Sequence, residues 1–138
     1  MRRDTPKTVS LVIGLAFLAV GLLGLILHPT GGTLLNVFGV DLLHNLIHLA
    51  VGVAGIAAWF LGLVESRIFL KVLGVVYLIL GVVGFIPPLF DNYGNLLGIV
   101  RINNADNLLH LVVGAIAAYF GFSPQYRPGA ASRMFGRG

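Results

Sequence analysis

The chain has 138 residues, of which 57% are hydrophobic and only 14 are charged (9 Lys and Arg, 5 Asp and Glu), well under the roughly 25% charged fraction of soluble domains. With a mean hydropathy of +0.95, it reads as an all-α, polytopic membrane protein with one domain. The net charge of +4 does not call for nucleic acid, because the basic residues flank apolar runs instead of forming a face. The lack of cysteine excludes disulfides, thiolate metal centres and iron–sulfur clusters.

The first expected span is 8–28. Its uncharged stretch of 20 residues, 8–27, covers roughly 30 Å at about 1.5 Å per residue, the thickness of the bilayer hydrocarbon. Arg2, Arg3 and Lys7 precede it as in a secretory signal. The run is longer than a signal's apolar core, however, and His28-Pro29-Thr30 is no small-residue cleavage site, so retention is expected. The connection that follows is unusually apolar over 34–40. Its β-branched content suggests a short extended or interfacial piece capping the bundle, although Gly39 counts against a strand.

The second span, 42–64, carries His44, Asn45 and His48 at its start, with Asp41 as the expected N-cap. The third, 68–86, has Lys71 near one end, where it can snorkel, and closes at Pro87-Pro88. A second apolar connection, 96–102, suggests the same as the first, with Arg101, at the place equivalent to Gly39, likewise counting against a strand. The fourth span, 104–122, is capped by Asn103 or Asn104 and again has its polar residues, Asp106, Asn107 and His110, at the front. Trp59, Phe60, Tyr119 and Phe120 read as an interfacial aromatic belt at the far ends of the second and fourth spans. Residues 1–122 thus form one four-helix membrane domain, and 123–138 a flexible basic tail suited to anionic headgroups.

Eight of the nine Lys and Arg residues lie before the first span, in the link around Arg67 and Lys71, or in the tail; only Arg101 lies opposite. The positive-inside rule puts both termini in the cytoplasm.

The sequence repeats itself. Gly14, Gly21 and Gly24 recur at an offset of 60 as Gly74, Gly81 and Gly84; Gly32, Leu34, Asn45, His48 and Gly52 recur at 62 as Gly94, Leu96, Asn107, His110 and Gly114. The units 8–64 and 68–122 therefore form tandem helical hairpins, expected to be related by a pseudo-twofold axis along the membrane normal, with the second and fourth helices facing each other. On a helix Asn45, His48 and Gly52 share a stripe, as do Asn107, His110 and Gly114. Small residues allow close approach and the polar ones hydrogen-bond across it, so these stripes point inward.

The first reading of Asn45, Asn107, Gly52 and Gly114 is structural: packing and interhelical hydrogen bonds. A sharper reading groups His44 and His48 with Asp106 and His110, both pairs at i, i+4, as a divalent transition-metal set of three imidazoles and a carboxylate. A related one holds a porphyrin or chlorin axially between His48 and His110, with Gly52 and Gly114 leaving room beside the ring. Histidines near one face also suggest a pH-responsive element. Ion movement finds little support, since the rest of each span offers no polar chain beyond Tyr77. No phosphate loop or hydrolase triad is indicated.

The doubled hairpin, with D-L-L-H-N-L-I-H-L-A-V-G (41–52) and N-N-A-D-N-L-L-H-L-V-V-G (103–114), resembles the bacterial membrane-protein family catalogued as domain of unknown function 4383, over roughly 8–122. The resemblance implies a four-helix bundle in a bacterial plasma membrane and supplies no substrate, cofactor or reaction. His44 stands where the second unit has Asp106. The expectation is a non-enzymatic structural or accessory subunit in the lipid bilayer, packing through its Gly-rich faces as a homo-oligomer or in a larger complex, with a metal or tetrapyrrole module as the alternative.

Overall fold

A computed structural model describes residues 4–124; the tail expected at 123–138 lies outside the described residues from 125 onward, as do Arg2 and Arg3. In chain order the elements are α1 (Thr5–Leu27), β1 (Gly32–Leu34), β2 (Phe38–Val40), α2 (Leu42–Leu61), α3 (Leu63–Val83), a 3-10 turn (Pro87–Leu89), β3 (Asn95–Leu96), β4 (Val100–Arg101) and α4 (Asn104–Phe122). All four α-helices are long and apolar enough to cross a membrane.

Local chemistry sets the boundaries. Pro6 sits in the first turn of α1, where its missing N–H costs nothing, so the helix starts at Thr5 and takes in Lys7. Asp41 and Asn103 are the N-caps of α2 and α4: Asp41 Oδ1 accepts from the His44 amide at 2.7 Å, and Asn103 Oδ1 from those of Ala105 and Asp106 at 2.8 and 3.1 Å. The link between α2 and α3 is shorter than expected. It is Gly62 alone, at φ +139°, a conformation that favours glycine. Arg67, expected in the link, consequently lies within α3. Ser66 Oγ donates to the Ala58 carbonyl at 3.0 Å, which also accepts from the Gly62 amide at 3.1 Å, and so pins the start of α3 to the end of α2. At its other end α3 stops at Val83, short of residue 86, because Ile86 precedes a proline and is driven to the extended region.

Both apolar connections are antiparallel β-hairpins. β1 pairs with β2 in the register Gly32↔Val40, Thr33↔Gly39, Leu34↔Phe38, and β3 with β4 as Asn95↔Arg101, Leu96↔Val100. The turns are alike: Leu35 and Asn36 have φ of 53° and 57°, Leu97 and Gly98 of 53° and 70°, as in type I′ turns. Gly39 and Arg101, which counted against strands, are accommodated for different reasons. A side chain on Gly39 would reach 3.2 Å from Asp106 Oδ2, whereas Arg101 is exposed. Each hairpin buries two apolar residues at equivalent positions, Leu34 and Val40 in the first and Leu96 and Ile102 in the second.

The closest helix pairs are α1 with α2 and α3 with α4. Glycine governs both. A Cβ on Gly14 would come within 2.8 Å of the Ile56 nitrogen, on Gly52 within 2.5 Å of the Leu18 nitrogen, on Gly74 within 2.5 Å of the Ala118 nitrogen and on Gly114 within 2.8 Å of the Leu78 nitrogen. The two halves join through α3, which contacts both α1 and α2, and through a core of Ile13, Phe17, Leu70, Leu73, Tyr77 and Ala117. The expected face-to-face packing of the second and fourth helices is replaced: α2 and α4 share no extended backbone contact, because their small residues are already engaged by α1 and α3.

Candidate functional site

Asn45 and Asn107 are fully buried and tie each returning helix to its own partner. Asn45 Nδ2 donates to the His28 carbonyl at 3.4 Å and Asn107 Nδ2 to the Gly84 carbonyl. Their Oδ1 atoms accept no conventional hydrogen bond. Each lies 1.9 Å from where a Cβ would stand on Gly24 or Gly84, so a glycine Hα points at the amide oxygen, the geometry of a weak C–H···O contact. The asparagines and glycines singled out in the sequence thus meet within each hairpin and not between the two.

The histidines do cross between hairpins. His44, His48 and His110 are all buried, and one ligating nitrogen of each lies within 4.8 Å of the others. His44 Nδ1 is 2.9 Å from the Arg101 carbonyl and its Nε2 is 3.1 Å from His48 Nε2. A carbonyl only accepts, so in the neutral pair His44 carries its proton on Nδ1, and His48 donates from Nε2 to the lone pair of His44 Nε2. That leaves His48 Nδ1 bare; like His110 Nδ1, it is buried without a partner.

Asp106 is not in this cluster. Its Oδ2 accepts from the amides of Gly39 at 2.9 Å and Asn103 at 2.8 Å, the second bond closing a capping box at the start of α4. The four-residue metal set is therefore reduced to three imidazoles, because the carboxylate is committed to backbone N–H groups. Aromatic rings flank both imidazoles proposed as axial ligands. Phe17 stands edge-on to His48 with centroids 5.0 Å apart, Tyr77 edge-on to His110 at 4.8 Å, and His44 packs on His48 at 4.4 Å.

Two features of the site went unread in the sequence. Phe17 and Tyr77 are equivalent at the offset of 60 and touch each other at 5.4 Å; the repeat held that signal, but one ring is phenyl and the other phenol. The second is a groove of about 530 Å³ lined by α2, α3 and the second β-hairpin, with His44, His48 and His110 among its walls. Ile47, Ala54, Val72 and Val76 also line it and are exposed, so the groove opens sideways between α2 and α3.

A family model described as "Domain of unknown function (DUF4383)" matches residues 7–123. No match was found among curated proteins or among solved structures.

Proposed function

The chain belongs to the family described as domain of unknown function 4383, and from its histidine geometry we propose that it is a non-enzymatic membrane module that binds a divalent transition-metal ion through His44, His48 and His110. The carrying observation is that three buried imidazoles from α2 and α4 converge with nitrogens within 4.8 Å of one another. Zinc–nitrogen bonds of about 2.0–2.1 Å in a tetrahedral site put ligand atoms roughly 3.4 Å apart. His44 and His48 already stand at 3.1 Å, so the site needs mainly a side-chain adjustment of His110. The Arg101 carbonyl supports the reading by fixing His44 with Nε2 turned inward, as outer partners of metal-bound histidines do. An all-imidazole set suits zinc, copper or nickel.

The charge pattern supports cytoplasmic termini, and the family resemblance supports a bacterial plasma membrane. Lys7, Arg67 and Lys71 lie at the bundle end that holds the α2–α3 link, and Arg101 lies in the β-hairpins at the other. The metal would then sit toward the outer face.

A second reading, a structural or accessory subunit without a ligand, draws on the hydrogen bond that already joins His44 and His48. The glycine faces on which such association was expected are consumed inside the chain. Elemental analysis of protein purified from its native membrane without chelator separates the two. The metal reading expects about one equivalent per chain, falling to background in His48→Ala and His110→Ala variants that remain helical. Background metal in the parent protein, even after zinc is supplied, would overturn it; lowered stability of both variants with no metal to lose is the result expected of the structural reading.

A further inference from the structure

The groove beside the histidines is larger than a metal ion requires, and its volume of about 530 Å³ falls in the range of roughly 300–1,000 Å³ usual for small-molecule sites. Its walls are Ile, Val, Leu and Ala side chains together with the rings of Phe69 and Tyr77, and no charged side chain lines it. The polar groups cluster at one end: the three imidazoles, with Tyr77 edge-on to His110. His110 is 94% buried (6% exposed), and among the described residues neither of its ring nitrogens has a hydrogen-bond partner; its Nδ1 is fully enclosed.

Each feature restricts the occupant. The mouth between α2 and α3 is rimmed by exposed apolar residues on helices long enough to span a bilayer, so the ligand enters from the lipid phase. The uncharged walls disfavour a carboxylate or phosphate head, which would be desolvated without a counter-ion. The Tyr77 ring at the head end favours a flat ring over a plain acyl chain. An imidazole that can donate to an oxygen lone pair asks for a carbonyl on that ring.

We propose that the groove between α2 and α3 binds a neutral, lipid-soluble ring compound bearing carbonyl oxygens, of the quinone class, with one carbonyl at the His44–His48–His110 cluster and an apolar tail leaving between the helices toward the bilayer. The site uses the same imidazoles as the metal reading but does not depend on a bound ion.

The test is titration of the full chain in detergent micelles with a decyl-tailed benzoquinone, before and after metal removal with EDTA, followed by equilibrium dialysis with protein-free micelles as the partition control. The expected result is saturable binding of one molecule per chain. It weakens at least tenfold in Ala54→Trp, which fills the groove from its exposed rim, and in His110→Phe, which keeps a ring but removes the donor. Decylbenzene, which lacks the carbonyls, competes poorly. Unsaturable partition, unchanged binding in both folded variants, or equal competition by decylbenzene would overturn the proposal, the last outcome marking the groove as a hydrocarbon site only. Metal content measured on the same samples keeps the readings apart: quinone binding that survives EDTA while no metal is ever found rejects the metal alone, and metal without saturable quinone binding rejects the groove ligand alone.

Discussion

The amide of Gly39 in the first β-hairpin donates to the carboxylate of Asp106 on α4 at 2.9 Å. At the repeat offset of 62, Gly39 corresponds to Arg101 and Asp106 to His44, and those two also meet, with the polarity reversed: His44 Nδ1 donates to the Arg101 carbonyl at 2.9 Å. Each β-hairpin therefore braces the returning helix of the other unit. The departure of His44 from the repeat follows, since a carboxylate suits an N–H and an imidazole N–H suits a carbonyl. Asp41 and Asn103 extend the exchange, Asp41 Oδ2 accepting from the Arg101 amide at 2.6 Å and Asn103 Nδ2 donating to the Val37 carbonyl at 2.8 Å.

Replacing Asp106 with Ala leaves the buried Gly39 amide unpaired and removes the capping box. The expected loss is about 1–3 kcal/mol, read by chemical unfolding in detergent. Hydrogen exchange at the Gly39 amide should quicken at the same time, while the α1–α2 amides keep their protection. Unchanged exchange at Gly39 would disprove the brace.

Gly24→Ala and Gly84→Ala each place a methyl 1.9 Å from an asparagine Oδ1, forcing the buried amide or a whole helix to move. Overpacking of this kind costs about 1–3 kcal/mol, and here the upper end is expected. Gly94→Ala is the comparison, as its Cβ meets nothing within 4 Å although φ is +82°. The strain of a left-handed alanine alone is about 1 kcal/mol. Melting in detergent should rank Gly94→Ala well above the other two.

Tyr77 packs on both Phe17 and His110 and is almost fully buried. Tyr77→Ala is expected to cost about 3–5 kcal/mol, as for other large aromatic truncations in cores. Tyr77→Phe, which keeps the ring, should cost less than about 1 kcal/mol. An equal loss in both variants, measured by the same unfolding assay, would show that the hydroxyl and not the ring holds the two hairpins together.

Asp91 folds the second connection around itself: Oδ1 accepts from the amides of Tyr93 and Asn95 at 2.9 and 2.8 Å, and Oδ2 from Asn95 Nδ2 at 2.9 Å. The hydrogen bonds from Asn95 hold its carboxyl below the usual carboxylate value. A depressed folded-state value means that this ordering is fully present above the unfolded carboxylate pKa and is lost as pH falls through the lower folded one. An NMR titration should show the Asn95 amide moving only in that acidic window, and Asp91→Asn should abolish the transition.

Much of the molecule follows from the sequence alone. Four apolar runs of bilayer length, Asp41 and Asn103 before two of them, and the paired glycines determine the spans, their caps and the tandem hairpins, because hydrophobic length and capping act over a few residues. The link between α2 and α3 is shorter than the sequence suggests, because a single glycine at positive φ replaces a loop and charges such as Arg67 are tolerated inside a helix end. Spacing also placed Asn45 and His48 on one stripe, but the bundle sends the asparagine to α1 and the histidine to the centre. Such choices depend on which neighbour fills the space beside a glycine. Only tertiary packing could decide that Asp106 leaves the histidines for Gly39, that α2 and α4 stand apart, and that an apolar groove opens between α2 and α3, since each arises from contacts between segments distant in the chain.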